Sequence, residues 1–164
     1  MNITLIGMPG AGKSTVGVIL SKYMNLNFTD TDLIIQLKYG EKLSKLIKEH
    51  GTDGFIDLEM NTIISQKFEK TVIATGGSVV YKEETMDYLK SISTVVFIDI
   101  PLSELKKRVK DLEARGVVSK NAKNISEIFE ERRALYIKYA DKTITTTGLT
   151  AEESAIKISE LFNS

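Results

Sequence analysis

The stretch that most constrains this chain is residues 7–14, Gly-Met-Pro-Gly-Ala-Gly-Lys-Ser, which fits the phosphate-loop pattern. An apolar segment, residues 3–6, precedes it, and apolar side chains follow at helical spacing, as Val16, Ile19, Leu20 and Tyr23. Strand, glycine-rich loop and helix therefore occur in the order that phosphate binding needs. Backbone N–H groups of such a loop and the positive end of the helix favour a phosphate group. The motif predicts a protein that binds a nucleoside triphosphate.

Within the motif, two side chains have distinct expected tasks. Lys13 is expected to reach the terminal phosphates, and the Ser14 hydroxyl is expected to hold Mg²⁺. The surrounding backbone supplies the remaining contacts. The expected nucleotide-binding set is Gly10, Ala11, Gly12, Lys13, Ser14 and Thr15.

Composition limits the class of protein. The 164 residues suit one domain, 1–164, and 22 basic side chains balance 22 acidic ones, which gives no field that would attract nucleic acid or an anionic membrane. Cysteine is absent, no run is long enough to span a bilayer, and the chain begins directly in a strand, which argues against a signal peptide. We expect a cytoplasmic, monomeric protein whose partner is a small molecule.

Strand-like and helix-like segments alternate along the chain. The strands are expected at residues 3–6, 28–29, 71–74, 94–99 and 142–146, and helices lie between them and after the last one. This alternation predicts an α/β fold with a five-stranded parallel sheet covered by helices on both faces. Residues 113–124 lack periodicity and are expected to form a short lid.

Polar or glycine-rich residues follow the second and third strands. Asp30 and Asp32 end one of them, and Thr75, Gly76 and Gly77 end the other, so both groups should join the phosphate loop at the carboxyl edge of the sheet. Alternation along an extended segment would send both aspartates to the same side. One would then serve Mg²⁺ and the other an acceptor hydroxyl; the alternative is that they only cap the following helix.

Three arginines, Arg108, Arg115 and Arg132, are the candidate cations for phosphoryl transfer, because positive groups stabilise the charge that spreads over the transferred oxygens. The alternative for any one of them is a solvated surface charge. Tyr136 and Tyr139 are expected to lie at the edge of the core rather than to form a platform on which a base stacks.

With these segments placed, nearly the whole chain resembles the shikimate kinase family, a small member of the nucleoside-monophosphate-kinase group of phosphate-loop folds. The matching segments are residues 5–17, 28–32, Gly51 with Phe55 and Glu59, residues 73–77, Arg108, Arg115, Arg132, residues 135–136 and residues 140–141.

The resemblance implies ATP with Mg²⁺, phosphorylation of the 3-hydroxyl of shikimate, and a moving lid. It places Ser14 and Asp30 at the metal, and Arg108 and Arg115 at the nucleotide. The residues that it implies for catalysis are Lys13, Asp32 and Arg115, and those for the acceptor are Asp32, position 56, Glu59, Gly76, Gly77 and Arg132, the last on the acceptor carboxylate.

Three departures from the family pattern bear on the acceptor. Ile56 stands where the family has a carboxylate-gripping arginine, Ser78 replaces the third glycine of a triplet, and Gly116 replaces a lid proline. Loss of a charge-assisted carboxylate contact costs about 2–5 kcal/mol. Glu59 is expected to lose its partner, which would leave a more acidic pocket.

Three interpretations follow. The chain phosphorylates shikimate, with Arg132 and another donor holding the carboxylate; or it phosphorylates a different hydroxylated metabolite, neutral or amino-acid-like; or it is a catalytically silent nucleotide-binding protein. Two other classes are disfavoured. The chain lacks the Asn-Lys-x-Asp and Asp-x-x-Gly motifs of a GTPase, and Thr15 stands where a dinucleotide-binding loop needs its third glycine.

Overall fold

The computed structural model describes residues 1–108 and 124–163. Five strands form one sheet: β1 Ile3–Ile6, β2 Asn27–Asp30, β3 Thr71–Ala74, β4 Thr94–Asp99 and β5 Lys142–Thr145. All neighbouring strands are parallel, in the order β2-β3-β1-β4-β5. The prediction of a five-stranded parallel sheet is confirmed.

Helices connect the strands. Those in the described part of the chain are α1 Lys13–Met24, α2 Thr31–Tyr39, α3 Leu43–Ile64, α4 Glu83–Ile92, α5 Leu102–Arg108, α6 Ile125–Tyr139 and α7 Ala151–Glu160, with a single 3₁₀ turn at Val79–Tyr81. Helix α3 is interrupted at Gly51, whose φ of 70° and ψ of 177° are not helical. None of the helices in the described ranges is long and apolar enough to cross a membrane.

The central strands show why the sheet needs helices on both faces. Successive side chains of a strand point to opposite faces, and all four residues of β1 and all four of β3 are buried. Both faces are therefore covered, as parallel sheets require. Thr4 of β1 pairs with Ile73 of β3 on one side and with Val95 of β4 on the other. This register aligns the ends of the strands. The carboxyl ends of β1, β2 and β3 consequently meet at one edge.

Candidate functional site

A cleft of about 340 Å³ opens at the carboxyl edge of the sheet. It brings together the phosphate loop, the start of α2, the loop after β3, and one arginine from α6. The residues that line it are Pro9, Gly10, Gly12, Lys13, Ser14, Thr15, Asp32, Leu43, Phe55, Thr75, Gly76, Gly77, Ser78 and Arg132. Candidate residues from four separate parts of the sequence therefore share one space.

The phosphate loop occupies the turn between β1 and α1. Gly10 and Gly12 have φ values of 84° and 88°, in the left-handed region that side chains avoid. Lys13 bends back over this turn, and its Nζ donates hydrogen bonds to the carbonyl oxygens of Gly7 at 2.7 Å and Met8 at 2.8 Å. The loop thus holds its own lysine at the floor of the cleft.

Burial lowers the pKa of Lys13 but leaves its side chain charged at neutral pH. Its side chain is 7% exposed, and burial lowers the pKa of its ammonium from 10.5 to about 8, although the nearby Asp32 carboxylate opposes this shift. The group therefore still carries its positive charge at pH 7. A buried cation beside a glycine-rich loop is suited to a phosphate ligand.

Asp30 has two contacts at the junction of β2 and α2. Its Oδ1 accepts hydrogen bonds from the backbone N–H of Asp32 at 3.0 Å and of Leu33 at 3.3 Å, and its Oδ2 accepts one from Ser14 Oγ at 2.6 Å. The helix-cap interpretation is therefore correct for Asp30. The same carboxylate also reaches the phosphate loop, so capping and a position at the site are compatible.

The expected alternation of Asp30 and Asp32 along an extended segment is wrong. Because Asp30 caps α2, the chain leaves the strand at once, and Thr31 and Asp32 lie in the first helical turn. Thr31 is buried, and its Oγ1 accepts a hydrogen bond from the N–H of Gly76 at 3.3 Å. The helical turn, rather than strand alternation, is what directs Asp32 into the cleft.

Asp32 lies against the loop that follows β3. A Cβ built on Gly76 would be 2.5 Å from Asp32 Oδ1 and 3.1 Å from Glu59 Oε2, so any larger residue at this position would displace the Asp32 carboxyl group. Burial, followed by the charge of Asp30, raises the pKa of Asp32 to about 6. The Asp32 carboxyl is therefore ionised at neutral pH and can accept a hydrogen bond.

Glu59 has a partner that the sequence did not suggest. Ser78 Oγ lies 3.1 Å from both Glu59 carboxyl oxygens and donates to them. The expectation that Glu59 is left without a partner is corrected: Ser78, itself a departure from the family pattern, is its hydrogen-bond partner.

Glu59 also does not make the pocket more acidic at neutral pH. It is 2% exposed, and burial, with the nearby Asp32 charge, raises the pKa of its carboxyl to about 8. The group therefore keeps its proton at pH 7. The expected extra negative charge is absent because desolvation favours the neutral acid.

Ile56, expected at the acceptor, lies in an apolar cluster instead. Its side chain is 3% exposed and is not part of the cleft lining given above. The buried members of this cluster are Ile35, Leu46, Phe55, Ile56 and Leu58. Phe55 from the same cluster does reach the cleft, so the apolar side chains support one wall of it while Ile56 packs behind.

Two of the three predicted arginines are described. Arg108 lies over the phosphate loop, where its Nη1 donates to the Gly10 carbonyl at 3.2 Å and its Nη2 pairs with Glu104 at 3.2 Å. Arg132 is 1% exposed and lines the cleft. Arg115 and the predicted lid, except for Asn124, lie outside the described residues. Asn124 caps α6 by accepting a hydrogen bond from the N–H of Glu127.

Sequence reasoning missed the tyrosines that support this site. Tyr136, expected to be a core edge, is fully buried, and its hydroxyl donates to the Gly77 carbonyl at 2.6 Å. No sequence pattern points to Tyr81, whose hydroxyl accepts a hydrogen bond from Arg132 Nε at 3.2 Å. The spacing of Arg132 and Tyr136, four residues apart on one helix face, is the signal that could have identified Tyr136.

The described side chains do not form a complete set of metal ligands. Across residues 1–108 and 124–163, no group of three or more His, Cys, Asp or Glu side chains is placed to hold a metal ion. Ser14 and Asp30 nevertheless bring two oxygen atoms together at the rim of the phosphate loop. Oxygen is the ligand that Mg²⁺ prefers, and it commonly keeps water and phosphate oxygens as its other ligands. The side chains present therefore fit this ion.

Comparison with known proteins gives a consistent result. Residues 9–163 match the family model described as shikimate kinase. The shikimate kinase of Aquifex aeolicus is 39% identical over 159 residues, covering 96% of this chain and 92% of that protein. The shikimate kinase of Persephonella marina is 37% identical over 150 residues, covering 90% of each. The solved shikimate kinase of Acinetobacter baumannii in complex with shikimate superposes with a TM-score of 0.85, at 29% identity, over 98% of this chain and 92% of that one.

Proposed function

This chain belongs to the shikimate kinase family, and on that premise we propose that it transfers the terminal phosphoryl group of ATP to the 3-hydroxyl of shikimate. The observation that carries the proposal is that the phosphate loop, Asp32 and Arg132 line the same cleft. A phosphate donor and a hydroxyl-bearing acid can therefore meet in it. Proximity of this kind provides much of the acceleration in phosphoryl transfer.

The nucleotide is assigned to the phosphate loop, residues 10–15. The left-handed glycines and the start of α1 favour the phosphates, and Lys13 supplies a positive charge at neutral pH. Arg108 lies over the same loop and adds a second cation. Arg115 remains a predicted nucleotide contact.

Ser14 and Asp30 are the residues that would hold Mg²⁺. Their oxygen atoms lie 2.6 Å apart beside the loop, which supports this assignment. The ion, when bound, neutralises charge on the phosphate oxygens. Asp30 is fixed for this role by the two backbone hydrogen bonds that it accepts as the cap of α2.

On the acceptor side, Asp32 is the proposed base. It is ionised at neutral pH, because its pKa of about 6 lies below 7, and it faces the cleft beside Gly76. As the acceptor oxygen forms its bond to the terminal phosphorus, the bond from phosphorus to the bridging oxygen of ADP breaks, and the hydroxyl proton passes to Asp32. Arg132, which also lines the cleft, is assigned to the acceptor carboxylate.

The test is an ADP-release assay with shikimate as the acceptor. ADP should appear only when shikimate is present, and Lys13→Ala should lower kcat by at least about a hundredfold, because removal of one charge-stabilising group has an effect of this size. Lys22→Ala, at an exposed position of the same helix, is the matched control and should be unaffected.

Two results would contradict the proposal. Turnover of another hydroxylated acceptor, with none of shikimate at millimolar concentration, would indicate a family member with a changed substrate. ATP binding without ADP release for any acceptor would indicate a nucleotide-binding protein without catalysis.

A further inference from the structure

We propose that Tyr81 is a positioning residue for the acceptor: it fixes the guanidinium of Arg132 at the wall of the cleft, in the orientation that receives the acceptor carboxylate. The inference rests on the proposed function and extends it to a side chain for which neither the phosphate loop nor the family resemblance implies a role. Tyr81 ends the 3₁₀ turn that directly follows the cleft-lining loop, residues 75–78.

Tyr81 contacts Arg132 in two ways. Its hydroxyl accepts a hydrogen bond from Arg132 Nε at 3.2 Å, and its ring centroid lies 5.2 Å from the guanidinium carbon. A cation over an aromatic face at this distance is attracted by the ring. The ring and the hydroxyl together restrict both the position and the rotation of the guanidinium.

The Tyr81 hydroxyl is itself held. It donates a hydrogen bond to Glu131 Oε2 at 2.6 Å, so its proton points to Glu131 and a lone pair faces Arg132. Because Glu131 and Arg132 are neighbours on α6, the contacts tie that helix to the loop after β3. Tyr81 therefore sets the distance between Arg132 and the backbone that would face the acceptor.

The resulting position of Arg132 is close to the loop. A Cβ built on Gly77 would lie 2.5 Å from Arg132 Nη1 and 2.9 Å from Pro9 Cδ. Nη1 is thus in contact with the Gly77 backbone at the cleft. A guanidinium binds a carboxylate through two parallel N–H groups only when its plane is correctly oriented.

The orientation of the Arg132 guanidinium affects binding of the acceptor carboxylate more in this chain than it would if a second arginine lined the cleft. Of the described residues that line the cleft, Lys13 and Arg132 carry positive charge, and Lys13 donates to two loop carbonyls. Ile56 packs in the apolar cluster and supplies no charge. Binding of the acceptor carboxylate therefore depends on Arg132, and the support that Arg132 receives should appear in the affinity for the acceptor.

The experiment compares Tyr81→Phe with a matched control, Tyr88→Phe. The first substitution keeps the ring and removes the hydroxyl next to Arg132. The second removes a hydroxyl that donates to the Gln66 carbonyl at 2.6 Å and belongs to a residue outside the cleft lining. Steady-state constants for shikimate and for ATP and the melting temperature are measured for both variants and the unaltered protein.

Tyr81→Phe should raise the KM for shikimate about tenfold, the usual scale for removing the support of a ligand-binding charged group, and should change kcat and the KM for ATP by less than about twofold. Tyr88→Phe should change none of the three. A merely structural role for Tyr81 would lower the melting temperature and leave the KM for shikimate unchanged.

A neutral analogue, the methyl ester of shikimate, adds a second readout through its inhibition constant against shikimate. The ester lacks the charge that Arg132 recognises, so Tyr81→Phe should not weaken its binding. An unchanged KM for shikimate in Tyr81→Phe, or equal weakening of acid and ester, would overturn this inference alone. No turnover of shikimate by the unaltered protein would overturn the proposed function, and this inference with it.

Discussion

Glu59 shows how a single buried side chain can carry a charge state that its sequence position does not suggest. A carboxyl group beside a cleft is ordinarily ionised at pH 7. Here burial is nearly complete, and the Asp32 carboxylate is nearby, so the pKa rises to about 8. The hydrogen bond from Ser78 favours the ionised form but is outweighed by desolvation.

The stability of the fold should therefore depend on pH through Glu59. An unfolded glutamate loses its proton near pH 4.5, whereas the folded one keeps it to about pH 8. Between these values the folded state binds more protons, so the free energy of unfolding falls as pH rises, by at most about 1.4 kcal/mol per pH unit. Glu59→Gln cannot ionise and should show a flatter pH dependence, with a gain over the unaltered protein at pH 8.

Urea unfolding at pH 5, 6, 7 and 8 measures this difference. Glu49→Gln, on the same helix with half of its side chain exposed, is the control and should follow the unaltered protein. Parallel curves for Glu59→Gln and the unaltered protein would show that Glu59 does not hold a proton in the folded state.

At the scale of elements, helix α1 packs closely against strand residues at Gly17. Gly17 lies on its inner face, and a Cβ built there would be 2.7 Å from Phe28 Cε2 and 3.3 Å from Leu5 Cδ1. Phe28 belongs to β2, two residues before Asp30. The contact therefore sets the spacing between the helix with Lys13 and Ser14 and the strand that ends in Asp30.

Gly17→Ala should destabilise the protein by about 1–2 kcal/mol. Overpacking costs about 1–3 kcal/mol, and alanine returns about 0.5–1 kcal/mol of helix propensity relative to glycine. Phe28→Leu removes the ring edge that clashes, so the loss caused by Gly17→Ala should be smaller in the double variant. A double-mutant cycle of unfolding free energies measures this coupling, and strictly additive losses would contradict the close approach.

At the scale of the whole molecule, the site exists because several strand ends meet. β1, β2 and β3 bring the phosphate loop, Asp30 with Asp32, and residues 75–78 to one edge, and α6 adds Arg132 to the lining of the cleft. A ligand that bridges these parts stabilises only the assembled fold. Binding should therefore be visible as a change in global stability.

ATP with Mg²⁺ at about a hundred times its Kd should raise the melting temperature by roughly 5–10 °C, because such binding adds about 2.7 kcal/mol and each kcal/mol shifts a domain of this size by about 2–4 °C. Adenosine, which has no phosphates, should produce little shift. Differential scanning fluorimetry measures both.

Lys13→Ala should lose most of the shift with ATP, and Lys22→Ala should keep it. Equal shifts in the two variants would show that the phosphates are held elsewhere than at the phosphate loop.

Local sequence patterns are enough to predict the architecture and the nucleotide half of the cleft. Apolar strands alternating with helices allow few arrangements other than a covered parallel sheet, and parallel strands place their following loops at one edge. The phosphate-loop pattern is local, because Gly10, Gly12, Lys13 and Ser14 are contiguous and their geometry follows from a few backbone angles. Strand–helix alternation and the phosphate loop can therefore be predicted from residues that are close together in the sequence.

In the acceptor half, the sequence predicts Asp32 and Arg132, which line the cleft, but the side-chain contacts and charge states there follow from packing between distant segments. The Ser78–Glu59 contact joins residues 19 apart, Tyr81–Arg132 joins residues 51 apart, and Tyr136–Gly77 joins residues 59 apart. The charge state of Glu59 depends on how many atoms surround it, and the burial of Ile56 depends on which helix faces it. Desolvation and side-chain orientation arise from packing between distant segments, and no local pattern in the chain encodes them.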